Sequence, residues 1–502
     1  MEIIKQLDEL LKFLHIKTVE GRTDIPVRGL AYHSDRVQPG FIFFCLEGVR
    51  GDGHEYIDQA VAAGAIAVVL QREKEVKGAV KIMVPDVRVA MAVLSEIFYD
   101  SPSQKLRLIG ITGTNGKTTT AHLIETILAS QNHTTGILGT IKYKIGQERF
   151  PVLATTPEAP DLQKMFNHMV QKGIEYAVIE VSSHALELNR VAGSDFDIAV
   201  LTNVTEDHLD FHLTFEKYLN SKGKLFSQLG GSCLKGTAPR YAVLNCDDPH
   251  YSYFYRQATV QTISYGLEEP AEIKAGNVIV KEEGVCYELS TPWGKEEFDL
   301  KLAGYFSVYN ALAATAVALL EGIPLSKIKE SLERVTGVPG RFERIDLGQN
   351  FSVIVDYAHT PDGLENVLQT AAKIVRGKLI TIFGCGGERD RSKRFLMGRV
   401  ASQYSDYCIL TTDNPRGEDP WQIIKEVEAG LQEGKSFGSG YIIQADRYEA
   451  IKLGIELARP GDMVIIAGKG HENYQIFSDY IIPFDDRVVA SEIINKRLIN
   501  QC

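Results

Sequence analysis

Residues 111–120, ITGTNGKTTT, carry side chains and glycines suited to holding phosphate. The usual phosphate loop reads G-x-x-x-x-G-K-[ST]. Gly116, Lys117 and Thr118 fit its end, but Ile111 stands where the first glycine belongs and Gly113 supplies an early glycine instead. The strand-like LRLIGIT precedes this turn and the helical KTTTAHLIETILASQ follows it. In that context backbone N–H groups of the turn and the helix N-terminus face an anion. Lys117 is expected to bridge the outer phosphates of a nucleotide and Thr118 to ligate Mg²⁺. The competing reading is a structural glycine turn, and the strand–turn–helix context favours phosphate.

Further groups sit at the ends of other strand-like runs. AVIEVSSHAL places Glu180 near the end of a buried strand, where a carboxylate is either a paired core acid or a magnesium ligand beside the nucleotide. TNVTEDHLDFH follows the next strand with His208 at its mouth, suited to metal or phosphate contact. Lys222, in YLNSKGKLF, reads on residue type alone as a solvated helix lysine. Farther on, VDYAHTPD ends a strand with Asp356, an acid that could hold a ribose hydroxyl. FGCGGERDRSKR, TTDNPRGEDP and AGKGHENYQ are three more polar, glycine-bearing turns after strands. Together they line one edge of a sheet as a composite site.

The elements that must position these groups follow from pattern. The chain has 502 residues, enough for about three domains. A net charge of −11 argues against a general nucleic-acid binder. The seven cysteines form no C-x-x-C pair, which suggests neither a zinc ribbon nor a disulfide framework. The N-terminus lacks the marks of a signal peptide and no apolar run reaches membrane-spanning length, so a cytoplasmic protein without membrane insertion is expected. Strands alternating with helical patterns imply parallel β-α-β units. The fold class expected is α/β with three domains: a small N-terminal α/β domain (1–104), a central P-loop-type ATPase domain with a mostly parallel sheet (105–338), and a C-terminal Rossmann-like domain (339–502). Residues 270–302 interrupt the pattern; NVIVKEEGVCYELS resembles a hairpin with Gly284 in its turn.

The set GTNGKTTT, TTPE, EVSSHAL, NVTEDHLDFH, GYFSVYN, GRFE, DYAHTPD and AGKGHE resembles the Mur ligases of peptidoglycan synthesis. The shifted glycine is that family's spelling, shared with folylpolyglutamate synthases. The resemblance spans the chain and implies an ATP-dependent amide ligase: the glutamyl carboxylate of a UDP-N-acetylmuramoyl dipeptide attacks ATP, and an amine then attacks the acyl phosphate. It implies ATP contacts at Gly113, Thr114, Asn115, Gly116, Lys117, Thr118, Thr119, Asn310, Arg341 and Asp356. It implies Mg²⁺ at Thr118 and Glu180, and a second ion among Glu180, His208 and Lys222. Lys222 matches the family lysine that becomes carbamylated by CO₂. Lys117, Glu180, His208 and Lys222 form the implied catalytic set.

By the same resemblance Ser34, Thr155, Thr156, Ser183 and Arg190 grip the UDP-dipeptide. The family's D-S-R triplet at that serine reads His33, Ser34, Asp35 here, with Arg36 displaced. Arg389, Asp413, Asn414, Arg416, Gly468 and Glu472 match the pocket for the incoming amino acid. Arg416, in DNPR, points to meso-diaminopimelate, because its fork suits the distal carboxylate that lysine lacks. Family habit implies a monomer. The alternatives are an L-lysine-adding ligase, a folylpolyglutamate synthase, an ordinary P-loop hydrolase and a non-catalytic nucleotide-binding scaffold.

Overall fold

The protein is described by a computed structural model covering residues 3–48, 51–230, 235 and 238–500. Among these residues three large sheets, of five, eleven and six strands, organise the chain in sequence order. Each sheet is covered on both faces, and each face buries its own apolar cluster. The three-domain α/β expectation therefore holds.

In the central sheet, Arg107–Thr112 lies between Tyr176–Glu180 and Ile198–Leu201, parallel to both. From Leu108 on, Arg107–Thr112 is buried at every position, as a parallel strand covered on both faces must be. The chain moves to one side of this strand for Tyr176–Glu180 and to the other for Ile198–Leu201. Their C-terminal ends thus form a topological switch point, where a crevice opens. The helix Lys117–Ser130 packs with the long apolar helix Tyr305–Leu320 on one face. Beyond Gln261–Gly266 the sheet continues as an antiparallel meander, Ile273–Lys281, Gly284–Thr291 and Gly294–Leu300. The expected hairpin is therefore one strand short, and Gly284 pairs with Lys281 as the first strand residue; Glu282 and Glu283 make the turn.

The C-terminal sheet runs Glu343–Arg344, Ser352–Asp356, Met463–Ala467, Leu379–Phe383, Tyr407–Leu410, Tyr441–Ile443. All but its first strand are parallel, so the ends after Asp356, Phe383, Leu410 and Ala467 share one edge. That edge faces the crevice of the central sheet. No helix among the described residues is long and apolar enough to cross a membrane.

Candidate active site

Between the central and C-terminal sheets lies a cavity of about 490 Å³. One wall carries Thr114, Asn115, Gly116, Lys117, Thr118, Thr155, Thr156, Glu180, Arg190 and His208; the other carries Arg341, Arg389, Asp413, Asn414, Arg416, Gly468 and Glu472. Most residues singled out from sequence thus converge on one space.

The respelled loop has a steric reason. Gly113 adopts φ +149°, and a Cβ there would lie 1.8 Å from Thr202 Oγ1. Gly116 adopts φ +84°, and a Cβ there would lie 2.4 Å from Asn310 Oδ1. A closely packed Gly113 and a left-handed Gly116 therefore shape the turn. The helix it enters has no side-chain cap, which leaves its first N–H groups for a ligand. Lys117 Nζ folds back on the loop, donating to the carbonyls of Gly113 and Thr114, both at 2.8 Å. Burial lowers its pKa.

Glu180 ends its strand almost fully buried. Its Oε1 accepts the Thr140 N–H at 2.9 Å; its Oε2 accepts the hydroxyls of Thr118 at 2.8 Å and Thr140 at 2.9 Å. Sequence reading missed Thr140, which follows the unrecognised strand Thr135–Leu138. Its signal was the Gly139-Thr140 pair: a Cβ at Gly139 would lie 2.1 Å from Glu180 Oε1.

His208 takes a left-handed backbone, φ 55°, and its ring centroid lies 4.6 Å from that of His184. Burial drives both imidazoles toward the neutral form, that of His184 down to about 4. Neighbouring Asp207 pairs with Lys393, which reaches across from the C-terminal domain. Burial opposes ionisation of Asp207, but the Lys393 ammonium paired with it favours the carboxylate, and the carboxyl is held below its usual range. Lys393 sat in the basic run, where charge alone gave no partner.

Lys222 overturns its bland reading. It is 1% exposed, below the loop, donating to Gly113 O at 2.8 Å and lying 4.5 Å from the Tyr218 ring centroid. Burial, then the charge of Lys117, pushes its pKa well down. It does not line the cavity. Among the described residues no group of three or more His, Cys, Asp or Glu is arranged to hold a metal. The oxygens of Thr118 and Glu180 do suit a hard divalent cation.

Other predicted residues stand farther back. Asn310 and Thr119 are buried and do not line the cavity. Asp356 accepts the Phe342 N–H at 2.6 Å on one oxygen and the Ala358 N–H at 2.7 Å on the other, and it is buried and does not line the cavity. Arg341 reaches Thr118 Oγ1 at 3.1 Å and stacks over Tyr357 at 4.5 Å. Ser183 is buried against His212 at 3.0 Å. Ser34 lies away in the N-terminal domain, 3.1 Å from Gln59 Oε1. Arg190 is tied to Glu158 at 2.9 Å and to Thr156 O at 3.1 Å.

In the far wall, Asn414 Nδ2 donates to Glu472 Oε2 at 2.8 Å, and Lys469 Nζ reaches the same oxygen at 3.1 Å. Arg416 Nη1 donates to Gly387 O at 2.7 Å. The five described cysteines are free, as their spacing implied; Cys233 and Cys502 lie outside the described residues.

A phosphate loop facing a second doubly wound sheet across a polar, charged cleft defines a nucleotide-dependent enzyme whose site two domains complete. Comparison with known proteins narrows that class. The family profile of the Mur ligase catalytic domain matches residues 26–99, that of the middle domain residues 111–318, and that of the glutamate ligase domain residues 340–470. The chain is 47% identical over 477 residues, 95% of it and 96% of the relative, to the UDP-N-acetylmuramoyl-L-alanyl-D-glutamate–2,6-diaminopimelate ligase of Geobacillus thermodenitrificans. It is 45% identical over 99% of its length, and the whole of the relative, to the protein of the same name in Bacillus cereus. A solved structure of that name aligns with TM-score 0.68 and 33% identity over 99% of this chain and all of that one. The ADP complex of MurF ligase from Thermotoga maritima shares the fold, with TM-score 0.64 and 19% identity, over 95% of this chain and 99% of that one. The chain belongs to the Mur ligase family.

Proposed function

We propose that this chain is an ATP-dependent acid–amino acid ligase that adds meso-2,6-diaminopimelate to UDP-N-acetylmuramoyl-L-alanyl-D-glutamate during cytoplasmic peptidoglycan synthesis, acting as a monomer. Residues 1–104 hold the uridine end, 105–338 hold ATP and 339–502 hold the incoming amino acid. The observation that carries this reading is the single cavity whose walls are Lys117, Thr118 and Glu180 on one side and Asn414, Arg416 and Glu472 on the other. The printed names of relatives spanning the chain supply the substrate class.

A free carboxylate cannot expel oxide, so it must first be phosphorylated, and two anions must then meet. The residues answer that need. Lys117, released from its loop carbonyls, and the uncapped helix N-terminus neutralise the phosphates. Arg341 adds charge from the C-terminal domain. Thr118 and Glu180 would hold Mg²⁺, which when bound offsets the charge of the outer phosphates. A buried Lys222 with a depressed pKa is the unprotonated amine that attacks CO₂ and loses a proton to give a carbamate, and an anion there turns a repelling group into a ligand. Thr155, Thr156 and Arg190 line the wall where the acceptor carboxylate must arrive. In the far wall Arg416 takes the distal carboxylate of diaminopimelate and Glu472 its ammonium. L-lysine would leave the half-buried Arg416 guanidinium without its carboxylate partner, a loss of about 1–3 kcal/mol.

The test is phosphate release from ATP with the UDP-dipeptide, comparing meso-diaminopimelate with L-lysine. Selective turnover of diaminopimelate is expected. Preference for lysine would overturn the role of Arg416, and no release with either amine would favour a non-catalytic scaffold.

A further inference from the structure

Arg447 opens the helix Arg447–Leu457 and its side chain is 0% exposed, as is that of Asp486, which opens Asp486–Ile499. Nε and Nη2 donate to the two oxygens of Asp486 at 2.8 and 2.7 Å. Two further N–H groups go to backbone: Nη1 to Thr412 O at 3.3 Å and Nη2 to Ala467 O at 3.0 Å. Ala467 ends one strand and Thr412 lies two residues past the end of another, and these strands do not touch, because Leu379–Phe383 lies between Met463–Ala467 and Tyr407–Leu410. No ladder hydrogen bond sets one end against the other.

The residue after each carbonyl belongs to the cavity: Asp413 follows Thr412, and Gly468 follows Ala467. The two turns meet closely; a Cβ at Gly468 would lie 2.5 Å from Asp413 Oδ2. Gln475 also reaches the first turn, donating to Asp413 O at 2.7 Å, but makes no such bridge to Ala467. A buried ion pair is not needed for stability, since packed apolar residues of similar volume often serve as well or better. A planar fork fixed by a carboxylate does offer directed donors to two separate carbonyls at once.

We infer that Arg447, oriented by Asp486, is a positioning residue for the amino-acid substrate: it sets the spacing of the Asp413–Asn414 turn against the Gly468–Glu472 turn. This rests on the far wall being the amine pocket. Displacing one turn by an ångström misplaces the polar groups that meet the amino acid, and such misplacement costs up to about 100-fold.

The experiment uses the full chain, measuring KM for meso-diaminopimelate and for ATP in wild type, Arg447→Lys and the double variant Arg447→Met/Asp486→Leu. Lysine keeps the charge and the Asp486 partner but loses the planar fork; the double variant replaces the pair by packed apolar side chains. Both are expected to fold, to raise KM for the amine by about tenfold or more, and to leave KM for ATP within about twofold. A wild-type amine KM in either variant overturns the inference. So does an equal loss for ATP and amine, or failure of both variants to fold, each of which marks a general packing role. If wild type itself shows no diaminopimelate-dependent turnover, the reading of the pocket falls first.

Discussion

Lys117 and Lys222 donate to the same acceptor, the carbonyl of Gly113, each at 2.8 Å. One comes from the first turn of the helix after the loop, the other from Phe215–Ser227 below it. Two ammonium groups on one carbonyl repel, and desolvation already disfavours charge on either. For Lys222 burial comes first and the Lys117 charge second, both lowering its pKa. The arrangement selects the neutral amine at Lys222 and leaves the charge to Lys117, which is nearer the cavity.

That selection predicts a modification. Enzyme equilibrated with ¹³C-bicarbonate should show a carbamate carbonyl resonance that is absent in Lys222→Ala. Stripping bicarbonate should lower turnover, and restoring it should recover the rate. Lys222→Ala should lose about 100-fold or more in kcat, the scale of losing one preorganised charged group. An unmodified lysine in fully active enzyme would dismiss the carbamate.

The steric account of the loop predicts the outcome of Gly113→Ala. The added methyl meets Thr202 Oγ1, at a φ that side chains rarely adopt. The variant should lose about 1–3 kcal/mol of stability and bind ATP more weakly. Thermal unfolding and nucleotide titration check this; wild-type values in both would mean that the turn relaxes freely.

Arg416→Ala should raise KM for diaminopimelate about 10- to 100-fold, the worth of a charge-assisted hydrogen bond. KM for ATP should stay put, because the phosphate loop lies in the opposite wall and Arg341, which reaches it, stands on a different turn from Arg416. Steady-state kinetics with each substrate varied in turn decide it, and an unchanged amine KM would remove Arg416 from the pocket.

Legibility from sequence followed chemistry and periodicity. Buried parallel strands such as Arg107–Thr112 are continuous apolar runs, so the doubly wound sheets and their polar strand ends were readable. The short antiparallel pieces Tyr143–Ile145 and Glu148–Phe150 carry too few residues for a period and went unseen. Thr140 was missed with them. Lys222 shows a deeper limit: a lysine in a helix looks the same whether solvated or buried under a loop, and only packing against Tyr218 distinguishes the two. Arg447 and Asp486 lie 39 residues apart, so their pairing became visible only once two helices met.

The placement of the C-terminal domain rests on contacts at two sides. At the cleft, Asn115 Nδ2 in the phosphate loop donates to Asp362 Oδ2 at 2.7 Å. On a side away from the cavity, Glu282, at the turn of the central meander, accepts the Ser352 hydroxyl at 2.6 Å and lies 3.8 Å from Arg344. Glu282 touches no cavity residue, so substituting it can change catalysis only through how the domains sit. Glu282→Ala should barely alter stability, since half-exposed pairs contribute about 0–1 kcal/mol. It should nonetheless widen the small-angle scattering envelope of the free enzyme and lower kcat by several-fold, because Arg341 and the amine pocket would reach the phosphate loop less often. A wild-type envelope with wild-type kcat would show that the cleft contacts around Asp362 hold the domain without help from the meander.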